Sequence, residues 1–381
     1  MSFPFTSEHT MLREMARDFT NAEIRPIASS IDKNEEIPKE LLKKLADVGL
    51  MGTAIPEEYG GGGFGKVGFC IAQEEVARVC GSTAAMIGAH QSIGAQAIMV
   101  GGTELLKKKY LPRLASGEMI AAFALTEADA GSDSFNLSTK AEKKGDTWIL
   151  NGEKVWITNG ALADVFSVFA RTEKGITGFA VEKKYAGVSV GKNEKKLGIK
   201  GSVTNTIAFD DVEIPEENMI GTDGRGFFVA METLNSGRLG LGAACFGAAK
   251  EMLEMSVAFS KQRKQFGEPI SKFQAIQFMI SDIATHIYAM ENMVYKAAFK
   301  LDNGEDISLD AAIVKLYCSE AICEIADKAL QIHGGMGFSA DLPLERFYRD
   351  ARISKIFEGT NEIQKLIISR QILKQNGKWI S

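Results

Sequence analysis

The sequence predicts an α+β fold in three consecutive parts: an N-terminal α-helical domain, a middle antiparallel β domain and a C-terminal helical bundle. Two patterns predict this order. Apolar residues recur at helical spacing in the first and last thirds of the chain, whereas short β-rich runs separated by turn residues fill the middle third. The 381 residues suffice for two or three domains, whose boundaries we place at 1–120, 121–225 and 226–381.

The N-terminal part begins with two predicted helices. Ser7 is the expected N-cap of the first helix, and the second begins at Pro38 and ends at Gly49. Four glycines at 60–63 are interpreted as a loop, because a glycine run alone is weak evidence for phosphate binding.

The middle part contains a strong short signal for a β-hairpin. Asn151-Gly152 separates the strand-like runs 147–150 and 153–157, and this dipeptide favours a tight turn. The runs that follow predict a small antiparallel sheet or barrel. These runs are 164–170, 177–182, 187–190 and 204–209.

The C-terminal part is predicted to consist of long amphipathic helices. Steps of three and four residues join the members of each apolar series, which indicates a bundle-type seam. The first series is Leu241, Cys245, Ala248, Met252, Met255 and Phe259, and the second is Ile276, Ile280, Ile283, Ile287 and Met290.

Composition excludes several classes of protein. A net charge of −5 without a clustered basic stretch argues against nucleic-acid binding. The four histidines are not at metal-ligand spacing, and the five cysteines form no CxxC pair, so we expect no metal site and reduced cysteines. Without a secretory signal or an apolar run of about 18 residues, we expect a cytoplasmic protein that does not associate with membranes.

Five segments of the chain share an order and a spacing that cover nearly its whole length: FALTEADAGSD (123–133), NGEKVWITNG (151–160), SKQRKQFGEPISKFQAIQ (260–277), LQIHGGMGF (330–338) and RDARISKIFEGTNEIQ (349–364). Together they resemble the acyl-CoA dehydrogenase family. The resemblance implies a middle β-barrel, a C-terminal four-helix bundle, a homotetramer and FAD. It also implies oxidation of a fatty acyl-CoA to trans-2-enoyl-CoA, with electrons passed to an electron-transferring flavoprotein. Ala128-Asp129 departs from the proline-glycine usual in the first segment.

The resemblance assigns one group of residues to the flavin ring and another, around Arg263, to the FAD of a neighbouring subunit. Ser132 is expected at either the FAD pyrophosphate or the acyl-CoA. Read singly, these residues would be ordinary loop, strand or surface positions. The residues expected to contact FAD are Phe123, Leu125, Thr126, Gly131, Ser132, Trp156, Ile157, Thr158, Arg263, Gln265, Phe266, Gln274, Gln331, Ile332, Gly334, Gly335, Thr360 and Glu362.

Glu358 matches the family's catalytic base, which removes the α-proton of the acyl thioester. A carboxylate suits this role when burial raises its pKa toward neutral pH. Gly359 is expected beside the acyl chain, while Asn235 and Arg238 are expected at the start of a helix along the CoA channel. Gly237 occupies the position where one branch of the family carries its base, which disfavours branched, isovaleryl-type substrates.

Chain length is predicted from the segment 88–98, which looks most like the very-long-chain branch. Gly94 and Ala97 lie three residues apart and therefore on one helical face, where neither would close an acyl pocket. We therefore expect straight medium-to-long acyl-CoA as the substrate.

Three other functions remain open from the sequence. An enoyl-CoA reductase would use the same base and flavin in the opposite direction, and an acyl-CoA oxidase would differ in how the reduced flavin is reoxidised. A non-catalytic CoA-binding protein would contain no flavin.

Overall fold

The computed structural model describes residues 3–375 and 377. Its N-terminal part is helical, as predicted, but Thr6 rather than Ser7 caps the first helix by accepting a hydrogen bond from the backbone of His9. Two short π-helical segments, Thr20–Ile24 and Ala89–Ala95, interrupt this part. The α-helices are α1 (Ser7–Phe19), α2 (Ala28–Asn34), α3 (Lys39–Asp47), α4 (Gly65–Ala77), α5 (Gly81–Gly88), α6 (Gln96–Gly101) and α7 (Glu104–Ala115).

The middle part is one mixed sheet. The strands are β1 (Ala121–Ala124), β2 (Lys140–Lys144), β3 (Thr147–Thr158), β4 (Val165–Thr172), β5 (Gly175–Glu182), β6 (Val188–Val190), β7 (Thr204–Pro215) and β8 (Met219–Ile220). Their order is β6-β7-β3-β2-β4-β5-β8, and β1 pairs in parallel with β4. Within the described residues the two end strands do not pair with each other, so the predicted barrel is not confirmed.

The predicted hairpin at Asn151-Gly152 is wrong, because β3 continues through both residues. Gly152, with φ of 145°, lies in a bulge of the ladder between β3 and β7. The Asn151 side chain donates to Asp211 Oδ1 (2.9 Å) and accepts from the Asp211 backbone (2.8 Å), which fixes it to β7 instead of a turn. The tight turn lies earlier, at Gly145-Asp146 between β2 and β3.

The C-terminal part is helical, as predicted, and its core is continuous with the N-terminal helices. The elements are α8 (Gly226–Gln262), β9 (Lys264–Gln265), β10 (Glu268–Pro269), α9 (Gln274–Asp302), α10 (Ser308–His333), α11 (Gly335–Phe338), α12 (Leu344–Ala351) and α13 (Asn361–Lys374). Helices α8, α9 and α10 pack on one another, α13 packs on α10, and α4 packs on α8. Buried apolar side chains of α4, α8, α9 and α10 share one core, which fixes the long helices that border the site.

Two further properties concern the described part of the chain as a whole. None of its helices combines the length and apolar character needed to cross a bilayer. Its His, Cys, Asp and Glu side chains form no group of three or more suited to a metal ion.

Candidate active site

A cleft separates α5 and the following π-helical segment from α8 and α12. It contains about 910 Å³ of space free of protein atoms, part of it open to solvent, and its walls are mostly apolar. Thr158, Gly237 and Glu358 line the cleft, and Met252 lies farther along the α8 wall. Such a concave apolar space with a few polar groups is typical of a small-molecule site.

Glu358 lies in the short loop before α13. Its φ of 59° and that of Gly359, 86°, are both left-handed, a conformation that costs roughly 1–2 kcal/mol at a non-glycine residue. The loop is held by hydrogen bonds to its carbonyl oxygens: Gln364 Nε2 donates to Glu358 O (3.2 Å) and Gly359 O (2.9 Å), and Arg238 Nε donates to Glu358 O (3.3 Å). The base predicted from sequence is therefore fixed by its surroundings.

The Glu358 carboxyl group is set for proton transfer. Its Oε2 is buried and has no hydrogen-bond partner among the described residues. Burial raises the pKa of Glu358 to about 7, although the positive charges of Arg238 and Lys315 lower it. A carboxyl group with a pKa near neutral can accept and return a proton at physiological pH.

Glycine at position 237 leaves room for this carboxyl group. A Cβ on Gly237 would lie 2.5 Å from Glu358 Oε2 and 2.7 Å from Oε1, which is too close for a real contact. The absence of a side chain on this turn of α8 thus permits the orientation of Glu358 toward the cleft.

Arg238 lies about three turns into α8, not at the start of a helix as predicted. It is 4% exposed, so it is also not a solvated surface charge. Its Nη1 donates to Asn235 Oδ1 (3.0 Å), and Asn235 Nδ2 donates to Ser308 Oγ (3.3 Å). Arg238 therefore contacts the backbone of Glu358 while Asn235 orients its guanidinium.

Sequence reasoning missed Lys315. This lysine of α10 is 0% exposed, and its Nζ donates to Asn361 Oδ1 (2.7 Å), which also accepts from Ser319 Oγ (3.0 Å). A signal was present in the sequence, because no acidic residue lies three or four positions from Lys315 in its helix.

The structure brings part of the predicted flavin-ring group to the cleft. Thr158, the last residue of β3, lines it. Trp156 has a left-handed φ of 60° and is 61% exposed despite its large apolar ring. The side chain of Ile157 is instead buried in the core of the sheet.

A buried ion pair ties the first family-like segment to β3. Lys154 Nζ donates to Glu127 Oε1 (2.7 Å) and to Leu125 O (3.0 Å), and the Val155 backbone donates to Thr126 O (2.9 Å). The loop that carries the predicted ring contacts is thereby fixed beside Trp156. Phe123 lies before this loop and is buried in β1, whereas the predicted phosphate contacts Gly131 and Ser132 lie after it and are exposed.

The residues predicted for the adenosine half of FAD lie elsewhere. The rings of Phe259 and His333 contact each other at a tilt, with centroids 4.4 Å apart, which brings the hairpin after α8 close to the loop after α10. The stretch from Arg238 to Gln262 of α8 covers roughly 36 Å. A single chain therefore does not place the residues predicted for the adenosine half near Glu358. The exposed members are Arg263, Gln265, Phe266, Gln274, Gln331, Gly334 and Gly335, and the buried member is Ile332.

Two predicted FAD contacts follow Glu358 in the chain, and the structure places them differently. The Thr360 side chain caps α13 by accepting from the backbone of Ile363 (3.4 Å), so its hydroxyl already has a role in the fold. Glu362 is exposed in the first turn of α13.

Gly94 and Ala97 do not line the cleft, contrary to the expectation from their spacing. Gly94 packs against β1, where a Cβ would lie 2.7 Å from that of Ala121, and Ala97 is buried in the same core cluster. The cleft is lined instead by neighbouring small residues, including Ala85 and Ala89. The π-helical segment is the physical reason, because it changes the face that each residue presents.

Three family models match the chain in succession. They are the N-terminal domain of acyl-CoA dehydrogenase at residues 6–118, the middle domain at 122–212 and the C-terminal domain at 224–373.

Two curated relatives match over almost the whole chain. A short-chain specific acyl-CoA dehydrogenase of Clostridium acetobutylicum is 43% identical over 98% of this chain and 100% of its own length. An acryloyl-CoA reductase (NADH) of Anaerotignum propionicum is 42% identical over 98% of this chain and 97% of its own length.

Solved structures agree with this similarity. Butyryl-CoA dehydrogenase from Megasphaera elsdenii matches with a TM-score of 0.95 and 40% identity, over 98% of this chain and 100% of that chain. A chain in a structure described as the electron transferring flavoprotein of Acidaminococcus fermentans matches with a TM-score of 0.96 and 41% identity, over 98% and 100%. An acyl-CoA dehydrogenase complexed with FAD from Bacillus anthracis matches with a TM-score of 0.93 and 40% identity, over 98% and 67%.

Proposed function

The chain belongs to the acyl-CoA dehydrogenase family, and from this premise we propose that it is an FAD-dependent enzyme that oxidises an acyl-CoA to trans-2-enoyl-CoA. The observation that carries the proposal is the carboxyl group of Glu358. It faces an apolar cleft, one of its oxygens is buried without a partner, and burial raises its pKa to about 7.

In the proposed reaction the Glu358 carboxylate takes the α-proton of the thioester. The walls of the cleft are mostly apolar, and the absence of a side chain on Gly237 gives the carboxylate the room that it occupies there. FAD held beside Trp156 and Thr158 would supply the acceptor for the hydride of the β-carbon, so that loss of the α-proton and the β-hydride leaves the α,β double bond. The backbone N–H of Glu358 is the residue's own donor for the thioester oxygen as negative charge develops there.

The residues of this chain fit FAD at both of its ends. At the ring end, the exposed indole of Trp156 offers a flat apolar surface and Thr158 adds a hydroxyl. At the other end, Arg263 is exposed and forms no ion pair with the described residues, and no atom lies within 4 Å of where a Cβ on Gly334 or Gly335 would stand. An arginine beside an open glycine loop suits a pyrophosphate.

We propose that each FAD is shared by two chains of a homo-oligomer, which the family resemblance makes a homotetramer. The two groups of predicted FAD residues lie too far apart in one chain to hold the same molecule. The exposed apolar rings of Phe266 (94%) and Phe338 (81%) on the adenosine side are typical of a surface that a second copy covers.

Substitution of Arg263 tests the shared site. Arg263→Ala is expected to release flavin on dilution, because the pyrophosphate loses a permanently charged partner. Lys264→Ala is the matched control, since it removes the neighbouring exposed charge. Equal flavin retention in both variants would contradict the assignment.

The dimensions of the cleft favour a medium-to-long straight acyl chain. From Gly237 to Met252 it follows about 22 Å of α8. Ala85, Gly88 and Ala89 line the opposite wall, and none of them has a side chain large enough to obstruct it. An extended alkyl chain advances about 1.3 Å per carbon, so this length corresponds to roughly 17 carbons at most. Butyryl and acryloyl groups, which appear in the names of two similar proteins, would leave most of the cleft unfilled.

Two substitutions on α8 test this measure of length. Ala244 and Ala248 line the cleft about 10 Å and 16 Å beyond Gly237. Ala244→Phe is expected to limit substrates to about 8 carbons, and Ala248→Phe to about 12, in assays with acyl-CoAs of graded length. Butyryl-CoA serves as the internal control for both variants. Wild-type preference for butyryl-CoA, or the same limit in both variants, would contradict the proposal.

A second direction of the same chemistry is the reduction of an enoyl-CoA. The relative named acryloyl-CoA reductase favours this candidate, because its similarity to the chain extends over the same range as that of the dehydrogenase. We propose an electron-transferring flavoprotein as the redox partner in either direction. The rate of electron transfer from the reduced partner to enoyl-CoA, compared with the reverse rate, separates the two directions.

The base itself is tested by anaerobic mixing with acyl-CoA. Glu358→Gln is expected to keep FAD and ligand binding while flavin reduction slows by roughly 100- to 10,000-fold, the usual contribution of a general base. Glu305→Gln, at an exposed glutamate of the loop between α9 and α10, is the control. Substantial flavin reduction by Glu358→Gln would place the base elsewhere.

A further inference from the structure

Lys315 is a buried cation without a carboxylate partner. Its side chain is fully buried, and among the described residues it forms no ion pair within 4.0 Å. Within the part of the chain that the structure describes, its Nζ forms one hydrogen bond, to the amide oxygen of Asn361. Burying an ammonium group is costly unless it is paired, so this lysine requires a physical explanation.

The position of Asn361 supplies the first part of that explanation. Asn361 is the first residue of α13, three positions after Glu358, and its side chain is fixed to α10 on both sides. Its Oδ1 accepts from Lys315 and Ser319, and its Nδ2 donates to Glu320 Oε1 (2.7 Å). One end of the loop that carries Glu358 is therefore anchored to α10.

The charges around the loop supply the second part. The titratable and charged groups that act on Lys315 are Glu358 on the loop, Arg238 and Cys245 on α8, and Glu362 on α13. Burial lowers the pKa of Lys315 to about 8, and the charge of Glu358 is the largest influence that raises it. Conversely, Lys315 is one of the two cations that lower the pKa of Glu358.

We propose that Lys315 is a positioning residue for the base: it anchors the Glu358 loop through Asn361 and contributes a buried positive charge that favours the ionised carboxylate. This inference rests on the proposed function. It extends that function by explaining how a carboxyl group in an apolar cleft stays available as a base at neutral pH.

The test compares pH profiles of flavin reduction by acyl-CoA in the FAD-containing enzyme. Lys315→Met keeps the length of the side chain but removes its charge, and it is expected to move the midpoint of the profile up by about one pH unit, as for the loss of a nearby opposite charge. The rate at pH 6.5 then falls roughly eightfold, while the rate at pH 9.5 stays within about twofold of the wild type. Ser319→Ala is the matched control, because it removes the other side-chain donor to Asn361 Oδ1 without changing any charge.

A second variant and a second readout keep the test informative. Lys315→Arg retains the charge, so its midpoint is expected to stay near that of the wild type even if its maximal rate falls. The unfolding midpoint of each variant, measured at both pH values, detects a purely structural effect. A loss of rate that is equal at all pH values in Lys315→Met, or a similar shift in Lys315→Arg, would overturn the proposal. Failure of wild-type flavin reduction would instead refute the proposed function.

Discussion

Glu358→Gln is expected to stabilise the protein at alkaline pH while it removes the proposed base. Burial raises the pKa of Glu358 from 4.5 to about 7. The folded state therefore binds the proton more tightly than the unfolded state. Between these two pH values the unfolded state binds fewer protons, so the stability of the wild type falls as pH rises.

The size of the effect follows from the interval between the two pKa values. At 1.36 kcal/mol per pH unit, ionised Glu358 destabilises the fold by about 3 kcal/mol near pH 8, but by less than about 1 kcal/mol near pH 5. Glutamine has nearly the same shape and no charge at either pH. The variant is therefore expected to gain most of the 3 kcal/mol near pH 8 and little near pH 5.

Thermal and denaturant unfolding of the flavin-containing protein at the two pH values measures this difference. Glu305→Gln controls for the loss of an exposed carboxylate, and its stability should follow that of the wild type. If Glu358→Gln shifts the unfolding midpoint equally at pH 5 and pH 8, or destabilises the protein at pH 8, the carboxyl group is not buried and unpartnered in the way described.

Three further substitutions test other contacts. Lys154→Met removes the cation that pairs with the buried Glu127 and is expected to lower the free energy of unfolding by about 3–5 kcal/mol. Adding Glu127→Gln to the same chain should restore much of this loss, and purely additive effects of the two substitutions on the free energy of unfolding would contradict the coupling. Gly237→Ala displaces the Glu358 carboxyl group and is expected to slow flavin reduction about 100-fold with little change in unfolding, whereas an unchanged rate would show that the carboxyl group has room. Gly94→Ala crowds the backbone of β1 and is expected to lower the free energy of unfolding by about 1–3 kcal/mol without altering the preferred acyl-chain length. A preference for shorter acyl chains in this variant would place Gly94 at the cleft.

The sequence predicted those features that depend on local pattern. The order of helices, sheet and helices is confirmed, because helical and strand periods differ over every window of about a dozen residues. The runs 164–170 and 204–209 correspond to β4 and to the first half of β7. Glu358 was identified through its resemblance to a family motif, and its assignment as the base stays a prediction.

Other features depend on partners that are distant in sequence. Asn151-Gly152 has the composition of a turn, but the Asn151 side chain exchanges hydrogen bonds with Asp211, and β3 continues along β7 through a bulge. Lys315 has no acidic residue three or four positions away, but its burial and its hydrogen bond to Asn361 depend on the packing of α10 against α13. The bulge and the partner of Lys315 cannot be obtained from the neighbouring residues, because the deciding contacts come from other elements.

The prediction that small residues border the acyl pocket was correct in residue type but named the wrong positions. The segment 88–98 was identified by its resemblance to one branch of the family, and a spacing of three residues placed Gly94 and Ala97 on one face of an α-helix. In the π-helical segment Ala89–Ala95 the backbone bonds span five residues instead of four, so the face shifts along the chain. The small side chains that border the cleft include those of Ala85 and Ala89, and Gly94 packs closely on β1. A glycine can thus mark either an open pocket or a tight contact, and only the distance to its neighbours separates the two. The proposed chain length therefore depends on the walls of the cleft and no longer on the spacing that first suggested it.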